Sequence, residues 1–106
     1  MKKKIVSVIL VAAMAVGCLA GCGSKEAKNE DAFYIGGIGP VTGDAAIYGT
    51  AVQNGAQIAV DEINEAGGIN GHQIEYNFQD DQGDPEKAAN AYNTLKDWGM
   101  QVLMGT

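Results

Sequence analysis

The chain has 106 residues, a length that allows one small domain. All seven basic residues are lysines, and thirteen acidic residues give a formal net charge of −6. Because a nucleic-acid interface needs clustered basic residues, this composition argues against a nucleic-acid partner.

Residues 1–21 have the pattern of a secretory signal peptide. A basic leader, Lys2 to Lys4, precedes an apolar run of sixteen residues from Ile5 to Ala20. A helix that crosses a membrane needs roughly 20 apolar residues, so this run is short for a permanent anchor, and a marginal membrane helix is the alternative. A basic start, an apolar middle and small residues at the end predict export and cleavage.

The segment Leu19-Ala20-Gly21-Cys22 ends the apolar run. It resembles the lipobox of bacterial lipoproteins, in which the cysteine thiol receives a diacylglycerol and becomes the new amino terminus after cleavage. The resemblance implies a lipid anchor on Cys22, with Cys18 as the competing site. A disulfide between the two cysteines is the other alternative, which cleavage after Gly21 would remove. Since one acyl chain holds a protein only marginally to a membrane, stable anchoring needs the two or more chains that this modification would supply.

Residues 22–32 are polar and charged and show no apolar periodicity. We predict that they form a flexible tether that holds a folded body off the membrane, although an ordinary ragged terminus gives the same pattern. After cleavage the chain would retain four lysines and thirteen acids, a formal charge of −9, and Cys22 alone could form no internal disulfide.

The folded region is predicted to begin with a strand, a loop and a helix. Residues 33–38 are apolar without polar alternation, which is typical of a strand covered on both faces. Residues 39–47 form a loop, and a helix follows from Tyr48 to Ala66, where Gly67-Gly68 ends it. The apolar stripe of this helix comprises Val52, Ala56, Ala59 and Ile63.

A second strand, a second helix and a third strand are predicted next. Residues 73–79 alternate apolar and polar side chains, which marks a half-exposed strand at a sheet edge. Asp84 can cap the next helix, and Pro85 fits its first position because an amide hydrogen has no helical partner there. Gly99 ends this helix, and residues 102–104 form a third, fully apolar strand. The apolar stripe of the second helix comprises Ala88, Tyr92 and Leu95.

The order strand, helix, strand, helix, strand predicts an α/β fold with a parallel, doubly wound (Rossmann-like) sheet. With the amphipathic second strand at the edge, the first strand lies between the other two, and the helices cover opposite faces. This reversal of winding creates a crevice at the carboxyl ends of the first and third strands. The loop from Gly39 to Tyr48 and the residues from Gly105 onward border the crevice, so we expect a ligand there.

No motif for nucleotide, metal or catalytic chemistry emerges. Thr42 stands where a dinucleotide fingerprint would have its third glycine. Asp80, Asp81 and Asp84 have the spacing of a magnesium motif, but no second acidic motif accompanies them, and we interpret them as a solvated strand end with a helix cap. His72 has no cysteine or second histidine with which to share a metal. With no nucleophile–base pair either, we predict a protein that is not an enzyme and has no cofactor.

Tyr48 is the side chain best suited to ligand contact. It lies where the first loop enters the helix, on the crevice side, and it offers an aromatic face and a hydroxyl. Packing against the sheet is the alternative, and the residues alone do not decide between the two. Trp98 and Tyr92 lie on or beside the apolar face of the second helix and are interpreted as packing residues.

Five segments of the chain share the order and spacing of a known family. They are Gly39-Pro40-Val41-Thr42-Gly43, Tyr48-Gly49, Ala59-Val60-Asp61-Glu62-Ile63-Asn64, Gly67-Gly68-Ile69-Asn70-Gly71, and Asp80-Asp81 with Asp84-Pro85. Through them the region from Tyr34 to Thr106 resembles the leucine-binding-type extracytoplasmic solute receptors of ABC transporters. The resemblance implies a two-lobed receptor of periplasmic-binding-protein type I fold. Such a receptor closes on a small amino acid, often leucine, isoleucine or valine, and docks on a membrane permease.

By the same resemblance, Tyr48 lines the ligand pocket, and Thr106 stands at the start of a segment that binds the carboxylate of the amino acid. Residues 33–106 would then be the truncated, amino-terminal part of the first lobe. The second lobe, with the acid that pairs with the ligand's ammonium group, would be missing, so the isolated chain is expected to bind amino acids negligibly. Some relatives carry a cysteine where Gly83 stands, and their disulfide cannot form in this chain.

The resemblance also implies a location and leaves two alternatives. The expected location is the outer side of the bacterial cytoplasmic membrane, at the cell surface or in the periplasm, with the protein held by its lipid anchor. A ligand-sensing lobe of a signalling receptor is one alternative, and a doubly wound α/β enzyme is the other. A membrane helix with a kinase-like region, or a catalytic cluster, would distinguish them.

Overall fold

The structure is a computed structural model that describes residues 28–105. The predictions for the signal peptide, for Cys18 and Cys22 and for Thr106 lie outside the described residues. Five elements follow one another along the chain: β1 (Phe33–Gly39), α1 (Ala46–Glu65), β2 (Ile74–Asp80), α2 (Pro85–Trp98) and β3 (Val102–Gly105).

The three strands form one parallel sheet in the order β2-β1-β3. Gly39 pairs with Asp80 on one side of β1, and Ile38 pairs with Gly105 on the other, so the carboxyl ends of the strands meet at one edge. The predicted α/β order, with the first strand in the centre and the amphipathic second strand at the edge, is confirmed.

One face of the sheet packs against α2. Leu95 is fully buried there beside Ile38 and Ala91, and the Trp98 ring meets the Tyr34 ring edge-on with centroids 4.8 Å apart. The predicted stripe is right at Leu95 but wrong at Tyr92, which is 45% exposed while Ala91 is buried. Three-residue and four-residue spacings both keep a side chain near one helix face, so periodicity alone does not choose between neighbours.

The ends of α2 are set by the residues that the sequence predicts. The Asp84 carboxylate accepts a hydrogen bond from the Lys87 amide at 2.9 Å, and Pro85 occupies the first turn. Gly99 ends the helix in the left-handed conformation, with φ of 102°. Both ends of the helix therefore have the partners that helix termini need.

Two adjacent glycines lie in the middle of β1. A Cβ atom on Gly36 would stand 2.9 Å from the Met100 sulfur and 3.0 Å from Leu95, on the α2 face. A Cβ atom on Gly37 would stand 2.4 Å from the Phe78 ring, on the other face. The strand therefore lacks side chains where α2 and the aromatic residues of β2 approach it, which is a recognised use of glycine within strands.

Helix α1 begins two residues before the predicted start and is tied to β2 at its far end. The Asn64 side chain donates to the Ile74 carbonyl at 2.9 Å and accepts from the Ile74 amide at 2.8 Å. Gly49 and Val60 are its buried residues, whereas Ala59, which the predicted stripe included, is exposed. The other members of the predicted stripe, Val52, Ala56 and Ile63, are partly buried, so the stripe is wrong only at Ala59, where the neighbouring Val60 is buried instead.

Candidate functional site

The carboxyl edge of the sheet carries the first loop, residues 40–45, between β1 and α1. Gly105 lies beside Ile38 in the sheet, so the end of β3 is adjacent to the strand that leads into this loop. This is the edge where the winding of the sheet predicts a crevice. Of the predicted site residues, Tyr48 lies at this edge, whereas Thr106 lies outside the described residues.

Tyr48 lies in the first turn of α1, and its amide donates to the Ala45 carbonyl at 3.0 Å. Its side chain is 73% exposed, and the neighbouring Ile47 is 74% exposed. The alternative in which Tyr48 packs against the sheet is therefore wrong for the described residues. The ring and hydroxyl are open to a molecule that approaches this edge.

The first loop is held to the sheet by Asp80, the last residue of β2. One carboxylate oxygen accepts from the Val41 amide at 2.9 Å, and the other accepts from the Thr42 hydroxyl at 2.5 Å. The Gln82 amide also donates to the first oxygen at 2.9 Å. Each bond is charge-assisted, a type that is stronger than a bond between neutral groups.

These contacts change the acidity of Asp80. The Thr42 hydroxyl, followed by the Val41 amide, holds the pKa of Asp80 below its ordinary value of 3.8. Because the pKa is lower in the folded state, the ionised carboxylate stabilises the fold above its unfolded pKa. That contribution is lost as the pH falls through the folded pKa. The contacts are thus intact at neutral pH.

Helix α1 lies directly on the same loop. A Cβ atom on Gly49 would stand 1.7 Å from the Pro40 carbonyl oxygen, a separation that no side chain can occupy. Glycine at this position lets the helix backbone approach the loop backbone. The loop is therefore held by β2 on one side and by α1 on the other.

Asp80 and Gly49 have a role at this edge that their local sequence does not indicate. The sequence predicts Asp80 as part of a solvated strand end, whereas its contact with the loop depends on the pairing of Gly39 with Asp80. That register is a property of the folded sheet.

A second concave surface lies at the opposite, amino edge of the sheet. It is a shallow cavity of about 370 Å³ with an apolar lining that includes Phe33, Ile35, Ile69 and Val102. Within residues 28–105, no group of three or more His, Cys, Asp and Glu side chains is arranged to hold a metal ion. None of the helices described is long and apolar enough to cross a membrane.

Comparison with known proteins places this geometry in a family. The family model described as periplasmic binding protein matches residues 32–106, which include all five elements. The chain belongs to the periplasmic binding protein family. Membership indicates a binding-protein fold and an extracytoplasmic location.

Curated relatives of this periplasmic binding protein include two whose names state their ligands. The Leu/Ile/Val-binding protein BraC3 of Rhizobium johnstonii is 45% identical over 71 residues, which cover 67% of this chain and 19% of that protein. The leucine-, isoleucine-, valine-, threonine- and alanine-binding protein of Pseudomonas aeruginosa is 38% identical over 96 residues, which cover 91% of this chain and 25% of that protein. The chain thus spans about a fifth to a quarter of the length of these relatives.

Solved structures agree with the sequence relatives. The branched-chain amino acid transporter substrate-binding protein LivJ of Streptococcus pneumoniae, in complex with isoleucine, is similar with a TM-score of 0.66 and 41% identity. The match covers 71% of this chain and 22% of that protein. A putative branched-chain amino acid ABC transporter protein from Silicibacter pomeroyi gives a TM-score of 0.67 at 36% identity, and covers 71% and 19% of the two chains.

Proposed function

We propose that this chain is the amino-terminal part of the substrate-binding protein of an ABC importer for branched-chain amino acids. The observation that carries the proposal is the carboxyl edge of the sheet, where an exposed Tyr48 stands beside a loop that is fixed on two sides. The names of the relatives from Rhizobium and Streptococcus supply the ligand class.

In this proposal the carboxyl edge forms one wall of the ligand pocket. The Tyr48 ring offers an apolar surface to an aliphatic side chain, and its hydroxyl can bind a polar group of the ligand. Thr106 and the backbone that follows it receive the amino acid carboxylate. A second lobe, on chain that continues beyond Thr106, closes the pocket and supplies an acid for the ammonium group.

The proposal includes a membrane location and a membrane partner. Cys22 carries the lipid anchor, residues 22–32 act as the tether, and the receptor delivers its ligand to permease subunits in the cytoplasmic membrane. The high acid content of the chain suits a solvated receptor body at the membrane surface.

The test uses the complete receptor, translated through Thr106 to the end of its reading frame and expressed from residue 23 onward so that it is soluble. Isothermal titration at pH 7 with isoleucine, leucine and valine is expected to give saturable binding at a stoichiometry near one, with glutamate as the negative control. A reading frame that ends at Thr106, or a complete receptor that binds none of the three, would contradict the proposal. Micromolar binding by the isolated 106-residue chain would contradict the need for a second lobe.

Tyr48→Ala tests the site within that receptor. Removal of an aromatic side chain from a binding pocket is expected to weaken isoleucine binding by about tenfold or more. Tyr92→Ala is the matched control, because Tyr92 is also partly exposed but lies on α2 away from the carboxyl edge. If both variants bind isoleucine with equal affinity, Tyr48 is not part of the binding site.

A further inference from the structure

The Asp80 carboxylate connects two elements that the sequence separates by about forty residues. Asp80 ends β2, and its three hydrogen-bond donors are the Val41 amide, the Thr42 hydroxyl and the Gln82 amide. Two of the three donors belong to the first loop. Every described polar contact of this side chain therefore either fixes the loop or orients the carboxylate that fixes it.

The same loop determines where α1 begins. Pro40 directly precedes the two residues that Asp80 holds, and its carbonyl oxygen lies where a Gly49 side chain would stand. A displacement of the Pro40 peptide must therefore move the first turn of α1 or open a gap beneath it. Tyr48 is the residue before Gly49, so the position of its ring depends on this contact.

We propose that Asp80 is a positioning residue for ligand binding, which acts through the loop of Pro40, Val41 and Thr42 and through Gly49 to hold the Tyr48 ring at the carboxyl edge. The inference rests on the proposed function, because it assumes that Tyr48 contacts the amino acid. It extends that function to a side chain that lies in β2 and need not touch the ligand.

The hydrogen bonds of the Asp80 carboxylate predict how substitutions of this residue will differ in their effect. Asp80→Ala removes both acceptor oxygens and with them all three hydrogen bonds. Asp80→Asn retains one oxygen for the two amides, and its amide group can donate to the Thr42 hydroxyl, which accepts as well as donates. The asparagine variant should therefore keep the loop in place with weaker, neutral bonds.

The experiment measures isoleucine affinity of the complete receptor by isothermal titration. Asp80→Ala is expected to raise Kd by about tenfold or more, Asp80→Asn by less, and Asp81→Ala by no more than about twofold. Asp81 is the matched control because it is the adjacent carboxylate and, within residues 28–105, its side chain bonds only within its own turn, to the Gly83 amide at 2.8 Å. An unchanged Kd for folded Asp80→Ala would overturn the inference while leaving the proposed function intact.

A double-mutant cycle separates positioning from a purely structural role. If Asp80 acts through Tyr48, the double variant Asp80→Ala with Tyr48→Ala should bind about as weakly as Tyr48→Ala alone. Additive losses would show that Asp80 does not act through Tyr48. If Asp80→Ala does not fold, Thr42→Val, which removes only the hydroxyl bond, takes its place in the cycle with the same two outcomes. Failure of the unsubstituted receptor to bind isoleucine would overturn both proposals.

Discussion

On the α2 face of the sheet, Leu95 is fully buried and covers the centre of β1, whereas on the other face Val102 is 58% exposed and Phe33 is 37% exposed. Among residues 28–105, the close backbone contacts of both helices are with β1 and β2. Phe33 and Val102 both belong to apolar strand segments, as does the buried Ile38 on the α2 face. The difference shows that the position of a helix, and not the hydrophobicity of a strand, decides which strand residues are buried.

Leu95→Ala, on the α2 face, should cause the largest loss of stability among these substitutions. The substitution leaves a cavity where the Leu95 side chain is fully buried, and we expect a loss of about 2–5 kcal/mol in the free energy of unfolding. Urea unfolding followed by the fluorescence of Trp98, the only tryptophan of this chain, measures it on the same face. A loss below about 1 kcal/mol would show that the α2 face is not the core.

Asp84→Ala should have the next largest effect, because it removes the N-cap of the helix that covers this face. The loss of the bond from the Lys87 amide is expected to lower the free energy of unfolding by about 1 kcal/mol. Asp84→Asn is the control, since asparagine is an equally good cap, and it should remain close to the unsubstituted chain. If the two variants lose equal stability, the cap geometry is not responsible.

Tyr76→Phe should have a smaller effect of the opposite sign on the α1 face. The Tyr76 hydroxyl is buried without a hydrogen-bond partner among residues 28–105, and burial raises the pKa of Tyr76. Because an unpaired buried hydroxyl is unfavourable, its removal should stabilise the chain by up to about 1 kcal/mol. Thermal unfolding monitored by circular dichroism is the measurement, and a lowered Tm would reveal a partner for the hydroxyl.

Val102→Thr should have the smallest effect, since it exchanges similar shapes at an exposed position. Threonine keeps the β-branched side chain that suits a strand, and the free energy of unfolding should change by less than about 0.5 kcal/mol. The same urea titration as for Leu95→Ala gives the direct comparison. A larger loss would mean that this surface is covered, by a second copy or by another part of the protein.

The order and type of the elements could be predicted from the sequence because each signal is local. Alternating side chains marked β2 as an edge strand, and Asp84-Pro85 and Gly99 marked the ends of α2. The position of Tyr48 at the start of α1 could be predicted as well. Whether its side chain is exposed or packs against the sheet could not, because the two interpretations differ only in side-chain burial.

The contacts that fix the site could not be predicted, because each joins residues that are distant in sequence. The role of Asp80 depends on its pairing opposite Gly39, and that of Gly49 on its approach to Pro40. The choice of Ala91 over Tyr92 depends on the exact rotation of α2 against the sheet. Neither composition nor periodicity contains these distances.

Asn64 takes the place of a strand neighbour for Ile74, since its amide group satisfies both the N–H and the C=O of that residue. The carboxyl end of α1, a helix of 20 residues and about 30 Å, is thereby hydrogen-bonded to the start of β2, while its first turn contacts Pro40 at Gly49. Because the helix is held at both ends, we expect it to move together with the sheet as one body. If the proposed receptor closes around its ligand, we therefore expect the movement to occur in the part of the protein that faces this edge, while the edge itself stays fixed.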